Sequence, residues 1–304
     1  MSTAHGKVIL LGEHAVVYGR PALAMSLSRG VSAQASRATA TSLSIPAWKT
    51  ELFPSSADEA PPLARAFQKL LHAVDAHEPI RVVVDVQIPA GAGLGCSAAL
   101  SVAIARSIDE ALGRAPRSHA SLVQASLEWE RVFHGTPSGI DSEVAAESGI
   151  FSFQRGAPLK RVRPKKAFYV IVGDSGEASA TKSMVENVAR QHERDRARVE
   201  QVFDGISALV RNASLSLEYG DLVDLGKLMD LNHALLNALM ISTAKLEAMC
   251  ATARHAGALG AKLTGAGGGG CMIALADDEA IARRIETELR GHASGVFLVR
   301  TEAG

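Results

Sequence analysis

The chain has 304 residues, of which 47% are hydrophobic and 21% charged, so it can bury a full core and is unlike a disordered protein. Lys plus Arg and Asp plus Glu each total 32, and a net charge of zero argues against a dedicated binder of nucleic acids or membrane surfaces. The sequence contains neither an apolar run of the roughly 18 residues that a membrane span needs nor a recognisable signal peptide.

Cysteine usage agrees with a reducing environment. The three cysteines (Cys96, Cys250 and Cys271) have no metal-ligand spacing, which fits a cytoplasmic protein and predicts no zinc site.

The first 90 residues are dominated by strand patterns. KVILLGE (7–13), ALAMSLS (22–28) and RVVVDVQIP (81–89) predict strands, and Pro89 ends the last of them. Residues 38–62 predict weak strands and loop, and residues 63–76 a helix.

Two helices follow. Leu100, Ile104, Ile108 and Leu112 recur at helical spacing after the glycine-rich segment PAGAGLGCSAAL, and Gly113 ends this helix. A second helix is predicted from residue 118 to 133. The segment HGTPSGIDS (134–142) then predicts a turn that leads into a short helix.

The second half is mostly helical. We predict strands at 151–153, 168–174, 271–276 and 296–300, and helical segments at 177–211, 215–239, 242–257 and 277–291. The basic stretch KRVRPKK (160–166) is interpreted as solvated surface. The shift in composition predicts two domains, residues 1–165 and 166–304.

The segment at 89–98 is the first candidate binding site. A helix N-terminus has unpaired amides and a partial positive charge that favour phosphate. Gly91, Gly93 and Gly95 would let the backbone approach a phosphate and adopt positive φ. The segment has neither the lysine of a Walker A motif nor the third glycine of a dinucleotide fingerprint. A tight strand-to-helix turn is the alternative interpretation.

Four side chains are candidates for catalysis or metal binding, and each has an ordinary alternative. Ser97 could ligate Mg²⁺ or cap its helix. Glu130, which continues an apolar line of its helix, must be paired, protonated or cation-bound unless it is a solvated acid at the helix end. Asp141 could be an acid/base or an N-cap, and Lys7 could be a positive clamp or an exposed strand residue.

A second glycine-rich segment, TGAGGGGC (264–271), contains five glycines. A hairpin turn needs only one or two, so the excess predicts backbone packed tightly against a ligand or against the first glycine loop. A flexible hinge is the alternative.

KVILLGEHAVVYG, PAGAGLGCSAA and KLTGAGGGGC together resemble, in order and spacing, the three motifs of the galactokinase, homoserine kinase, mevalonate kinase and phosphomevalonate kinase superfamily. The first motif and HGTPSGID are most similar to its mevalonate kinase branch. The resemblance implies an α+β fold, in which a domain like the second domain of ribosomal protein S5 precedes a ferredoxin-like domain. It also implies ATP-dependent phosphorylation of the 5-hydroxyl of mevalonate, with Mg²⁺, in a chain that forms a homodimer.

The resemblance also implies roles for single residues. Asp141 would take the proton of the acceptor hydroxyl or orient that hydroxyl, and Lys7 would stabilise charge on the transferred phosphoryl group. Ser97 and Glu130 would bind Mg²⁺. The acceptor would lie by Glu13 and His14, with Gly267, Gly268 and Gly269 shaping its site. ATP would be held by Pro89, Gly91, Ala92, Gly93, Leu94, Gly95, Cys96, Ser97 and Ala98.

Two positions depart from the family pattern. Cys96 replaces the usual first Ser of GLGSSA, which opens the prospect of a reactive thiol beside the phosphates. His5 replaces a proline that usually precedes the opening Gly-Lys. Two alternatives to a mevalonate kinase are a related kinase for phosphomevalonate, homoserine or a sugar, and a non-catalytic binder of sugar or RNA.

Overall fold

The computed structural model describes residues 1–134, 137–179 and 181–304. The described residues form a mixture of strands and α-helices, which confirms the predicted α+β class. They divide into two compact units. The first comprises Met1–Lys7, Ser26–Ala90 and Gly95–Ser148, and the second comprises Val8–Met25, Gly91–Leu94 and Gly149–Gly304.

The strands and helices are numbered in chain order. The strands are β1 (Ser2–Leu11), β2 (Ala22–Arg37), β3 (Ser42–Ile45), β4 (Thr50–Leu52), β5 (Ile80–Val86), β6 (Ile150–Phe153), β7 (Lys160–Val162), β8 (Tyr169–Asp174), β9 (Gly260–Thr264), β10 (Cys271–Ala276) and β11 (Gly295–Arg300). The helices are α1 (Pro62–Ala73), α2 (Cys96–Ala111), α3 (His119–His134), α4 (Ile140–Ala146), α5 (Thr181–Arg194), α6 (Arg196–Tyr219), α7 (Leu222–Ala238), α8 (Ala244–His255) and α9 (Glu279–Arg290).

The two units are interleaved in sequence. Strands β1 and β2 each begin in one unit and end in the other, so no single cut of the chain separates the units. β2 has 16 residues, more than twice the predicted length, because the segment after Ser28 continues to pair along β5. The domain boundary between residues 165 and 166 stays a prediction.

In the first unit, the sheet runs in the order β4, β3, β5, β2, with β3 and β5 parallel and the other neighbours antiparallel. β5 alternates buried and exposed residues, as expected for a strand with one face on a core. α2 is buried along most of its length and packs against α3, α4 and β5. Its Ala-rich sequence lets the neighbouring helices approach closely. This places the ends of α2, α3 and α4 near one another.

In the second unit, an antiparallel sheet has the order β11, β8, β10, β9. All residues of β9 and β10 are buried, and both strands pack against α8. The sequence did not predict β9. The first residues of β2 pair with β6, and β6 pairs with β7.

Two details differ from the sequence predictions, and a third is only partly covered by the described residues. β7 lies inside the basic stretch 160–166 that was interpreted only as surface, although its Lys160 and Arg161 are exposed as expected. The charged segment is two helices, since Asp195 caps α6 directly after α5 ends. Part of the turn predicted at 134–142 falls on Gly135 and Thr136, which lie outside the described residues. Within the described ranges, no helix is both long and apolar enough to span a membrane.

Candidate active site

Lys7 and Asp141 form an ion pair in the first unit. Lys7 Nζ lies 3.0 Å from Asp141 Oδ1. The Lys7 side chain is 5% exposed, whereas that of Asp141 is 36% exposed. The expectation of an ordinary exposed lysine is therefore wrong, and the pair combines a buried cation with a carboxylate that solvent can reach.

Asp141 stands in the first turn of α4, after an N-cap residue that is Gly139. Gly139 adopts φ +92°, a conformation that glycine tolerates and most other residues avoid. The N-cap alternative for Asp141 is thus wrong. Its carboxylate lies near the positive end of the helix dipole as well as near Lys7.

Ser97 and Glu130 are joined by a hydrogen bond from the Ser97 hydroxyl to Glu130 Oε1. Trp129 Nε1 donates a second hydrogen bond, of 3.0 Å, to Ser97 Oγ. α2 has Gly95 as its N-cap and no side-chain cap, so Ser97 does not cap its helix. Glu130 is 3% exposed and Trp129 is fully buried, which makes the solvated-acid alternative for Glu130 wrong.

Burial raises the pKa of Glu130 from 4.5 to about 7. This net value includes a smaller rise from the charge of Asp141 and the opposing effects of the Ser97 hydrogen bond and the charge of Lys7, which both lower the pKa. The four predicted residues Lys7, Ser97, Glu130 and Asp141 therefore belong to one electrostatic cluster, which we call the acid–lysine cluster.

The acid–lysine cluster offers oxygen ligands for a cation. Mg²⁺ prefers oxygen and is commonly held by one or two carboxylates together with substrate phosphates. The buried Glu130 carboxylate and the adjacent Ser97 hydroxyl are oxygen ligands of this kind. Among the described residues, no group of three or more His, Cys, Asp or Glu side chains could hold a metal by itself.

The glycine loop at 91–95 has the backbone conformation that the sequence predicts. Gly91, Gly93 and Gly95 adopt φ of +72°, +79° and +71°. At position 95 a Cβ atom would stand 2.9 Å from Lys7 Cγ, so glycine leaves room for the buried lysine stem. Gly95 thus also shapes the surroundings of Lys7.

Cys96 is the residue of this loop for which the structure corrects an expectation. The thiol is buried. Burial, together with the charge of Glu130, raises its pKa to about 12. Because the thiolate is the reactive species, burial and the raised pKa argue against a reactive thiol at Cys96.

The second glycine loop packs against the first within the second unit. A Cβ on Gly270 would stand 3.0 Å from the Ala92 carbonyl oxygen, and one on Gly265 3.5 Å from Gly93 Cα. The Gly268 amide donates to the Ile241 carbonyl at 2.7 Å, and the Gly270 amide donates to the Glu177 carbonyl at 2.7 Å. The loop is held by these contacts rather than being a free hinge, and the first glycine loop is one of its partners.

Glu13 and His14 follow β1 in the second unit and are both buried. Lys262 Nζ donates to Glu13 Oε1, and Asn232 Nδ2 donates to Glu13 Oε2 at 3.0 Å. His14 adopts φ +59°, and its Nε2 lies 2.9 Å from the Ala266 carbonyl oxygen. Burial lowers the pKa of His14. Their predicted contact with the acceptor stays a prediction.

The sequence analysis does not identify three residues of these networks, which are Trp129, Asn232 and Lys262. Trp129 precedes Glu130 in sequence, but the sequence of a helix does not predict which residue accepts the hydrogen bond of an indole. Lys262 lies 249 residues from Glu13. A lysine within the buried strand β9 is the one signal that could have indicated a paired charge.

Comparison with known proteins agrees with these motifs. The model of the GHMP kinase N-terminal domain matches residues 62–149, and that of the GHMP kinase C-terminal domain matches residues 206–295. The chain is 35% identical to a mevalonate kinase of Pyrococcus horikoshii, over 91% of this chain and 88% of the relative. It is 31% identical to a mevalonate kinase of Aeropyrum pernix, over 100% and 96%.

Solved structures give the same family. The crystal structure of L. major mevalonate kinase in complex with R-mevalonate matches with a TM-score of 0.88 and 25% identity, over 100% of this chain and 96% of that chain. The predicted fold and the predicted superfamily are thereby confirmed. This chain belongs to the GHMP kinase family and, within it, has relatives that are mevalonate kinases.

Proposed function

We propose that this protein transfers the γ-phosphoryl group of ATP to the 5-hydroxyl of mevalonate and produces 5-phosphomevalonate. The relatives that match nearly the whole chain carry the name mevalonate kinase. The observation that carries the proposal is the Lys7–Asp141 pair, which belongs to the same cluster as Ser97 and Glu130. These are the residue types that a phosphoryl transfer to an alcohol requires.

Asp141 acts on the acceptor hydroxyl. In the reaction the hydroxyl oxygen forms a bond to the γ-phosphorus, the bond from that phosphorus to the β,γ-bridging oxygen breaks, and ADP leaves. The hydroxyl proton passes to the Asp141 carboxylate, or Asp141 orients the hydroxyl while the proton is lost later. The partial exposure of this carboxylate supports the role, because the acceptor must reach it.

Lys7 holds a positive charge beside Asp141. Its ammonium contacts the Asp141 carboxylate, and it offsets negative charge on the transferred group. Burial of the lysine stem supports this role, since a fixed charge in a poorly hydrated place stabilises more than a mobile one in water.

The glycine loop binds the phosphates of ATP. Residues 95–98 begin α2, whose first amides have no partners within the helix. The positive φ angles at Gly91, Gly93 and Gly95 support a backbone that can approach an anion.

Ser97 and Glu130 would hold Mg²⁺, which when bound would supply positive charge to the phosphates. Glu130 is suited to this task because a nearby cation would favour its charged form, which burial otherwise disfavours. His14 is proposed to touch the acceptor, with Glu13 lying by the acceptor pocket and Gly267–Gly269 shaping it. We also propose a cytoplasmic location, which three buried free cysteines support, and a homodimer.

A panel of acceptors tests the proposal. Purified protein is incubated with ATP and Mg²⁺ and with mevalonate, phosphomevalonate, homoserine or galactose, and ADP release is followed together with the phosphorylated product. We expect mevalonate to give the highest kcat/KM by a wide margin. A preference for another alcohol would change the proposed substrate but not the proposed kinase activity. If no acceptor caused ADP release, the proposal would be contradicted.

A further inference from the structure

Three buried serine hydroxyls connect the helices of the acid–lysine cluster. Ser101 Oγ on α2 lies 2.7 Å from Ser126 Oγ on α3, and Ser126 Oγ lies 2.8 Å from Ser142 Oγ on α4. The three residues are at most 1% exposed. We call this set the hydroxyl chain. It runs from α2 to α4 through Ser126, which lies on α3.

Each member of the hydroxyl chain stands close in sequence to a residue of the cluster. Ser101 follows Ser97 by four residues on α2, and Ser126 precedes Glu130 by four residues on α3. Residues four apart lie on the same face of a helix, one turn from each other. Ser142 is the residue after Asp141 on α4. The hydroxyl chain therefore lies one turn or less behind three of the four cluster residues.

Hydroxyl contacts set helix positions more sharply than apolar packing does. Apolar burial is non-directional, and the remaining contact surface of α2 is made largely of alanine and aliphatic side chains. A hydrogen bond between hydroxyls holds only within about 2.5–3.0 Å. A buried hydroxyl that loses its partner has no water to replace it. Ser101 also bonds to the Ala98 carbonyl of its own helix, at 2.8 Å, so the penalty of a sliding helix falls on the contacts that Ser126 and Ser142 make across helices.

We propose that the hydroxyl chain fixes the relative positions of α2, α3 and α4, and thereby brings Ser97, Glu130 and Asp141 to their working distances. Ser126 is its central positioning residue, because it alone touches both other serines. The inference rests on the proposed function, since it assumes that these three side chains serve the phosphoryl transfer. It assigns a role in geometry and none in contact with substrate.

The test compares Ser126→Ala with Ser107→Ala. Ser107 is also a buried serine of α2, but its hydroxyl bonds only to the Ile104 carbonyl of its own helix, at 2.8 Å. Both variants lose one buried hydroxyl, but only Ser126→Ala removes hydroxyl contacts between helices. We expect Ser126→Ala to lower kcat about tenfold or more, since a misplacement of 1 Å can cost about 10²-fold. It should also raise the Mg²⁺ concentration needed for half-maximal rate, while Ser107→Ala stays within about twofold of wild type.

A second pair of variants keeps the proposal testable if Ser126→Ala does not fold. Ser101→Ala and Ser142→Ala each remove one end of the hydroxyl chain, and their effects on kcat should be non-additive because both act through Ser126. Additive effects would overturn the proposal. So would a wild-type kcat in Ser126→Ala, or an equal loss of kcat in Ser107→Ala.

Calorimetry of Mg²⁺-dependent ATP binding separates this inference from the proposed function, because it needs no turnover. If wild type phosphorylates no acceptor, the proposed function fails. Weakened Mg²⁺-dependent binding in Ser126→Ala, but not in Ser107→Ala, would still support the positioning role. Equal binding in the two variants would refute it.

Discussion

The two units each contain a lysine–carboxylate pair, and the pairs differ in access rather than in chemistry. Lys7 and Asp141 lie 3.0 Å apart in the first unit, and 36% of the Asp141 side chain is exposed. Lys262 and Glu13 are paired in the second unit, and both side chains are fully enclosed. Solvent can reach the Asp141 carboxylate, whereas the Glu13 carboxylate is enclosed. We call Lys7–Asp141 the open pair and Lys262–Glu13 the sealed pair.

Neighbouring groups reinforce this difference. Glu13 receives Lys262 at one oxygen and Asn232 at the other, and Lys262 also donates to the Leu263 carbonyl. Burial lowers the pKa of Lys262, while Glu13 raises it. This sealed pair has the character of a structural tie, in which each charge is tolerated only because of the other. The Lys7–Asp141 pair instead retains a carboxylate surface that a substrate hydroxyl can approach.

The largest expected effect comes from removing the charge of the open pair. Asp141→Asn keeps the shape of the side chain but cannot accept a proton, so we expect kcat to fall about 10²–10⁴-fold. ATP binding should persist, because the glycine loop is unchanged. Steady-state kinetics and calorimetry with ATP measure the two quantities.

Glu143→Gln is the matched control for Asp141→Asn. Glu143 stands two residues later on α4, and its carboxylate lies 2.5 Å from His119 Nε2. It should keep most of the wild-type kcat. If Asp141→Asn also kept most of the wild-type kcat, the catalytic role of Asp141 would be contradicted, and solvent access would not distinguish the functions of the two pairs.

The sealed pair is broken by Glu13→Ala. This change leaves the Lys262 ammonium buried without its counter-charge, so we expect the free energy of unfolding to fall by about 3–5 kcal/mol. Urea denaturation measures the loss. Glu200→Ala removes a partly exposed partner of Arg20 in the same unit and should cost at most about 1 kcal/mol. Equal losses in the two variants would show that burial does not distinguish these ion pairs.

The open pair could be predicted from sequence more fully than the sealed one. Lys7, Ser97 and Asp141 occur in motifs whose residue types suit phosphoryl transfer, and Glu130 continues an apolar line of its helix. The period of Leu100, Ile104 and Ile108 predicts α2. Glu13 was also singled out, but its partner was not. A contact between residues 249 positions apart depends on the tertiary fold, for which local patterns carry no information.

The sequence does not predict strands β9 and β7, for two different reasons. β9 is buried on both faces, and its five residues run directly into the second glycine loop, so it shows neither alternation nor a clear end. β7 is a three-residue strand with two exposed basic residues, and such a short edge strand resembles a solvated loop in sequence.

The pH dependence of stability tests whether Glu130 of the acid–lysine cluster is protonated in the folded protein. Its pKa of about 7 in the folded protein lies above the ordinary 4.5. The folded state therefore binds the proton more tightly, and the free energy of unfolding falls as pH rises from about 4.5 to about 7, by up to about 3 kcal/mol. Glu130→Gln removes this titration, so the variant should be more stable than wild type at about pH 8 and less active.

Glu128→Gln is the control for Glu130→Gln, because Glu128 is a half-exposed neighbour on α3 that pairs with Arg131. Urea denaturation across this pH range should show the wild-type slope in the control. A wild-type slope in Glu130→Gln as well would mean that Glu130 is not the group held in its neutral form.

The smallest expected effect concerns the indole that holds Ser97. Trp129→Phe keeps an aromatic ring in the core but removes the 3.0 Å hydrogen bond to Ser97 Oγ, which should cost about 1 kcal/mol of unfolding free energy. The Ser97 hydroxyl then keeps only Glu130 as its partner, so the Mg²⁺ concentration for half-maximal rate should rise a few-fold while the KM for mevalonate stays constant. Titration of Mg²⁺ at saturating ATP and mevalonate measures this shift. A residue that orients a metal ligand must alter the metal dependence of the rate when its hydrogen bond is lost. An unchanged Mg²⁺ requirement would therefore show that Trp129, like the Lys262–Glu13 pair, only stabilises the core.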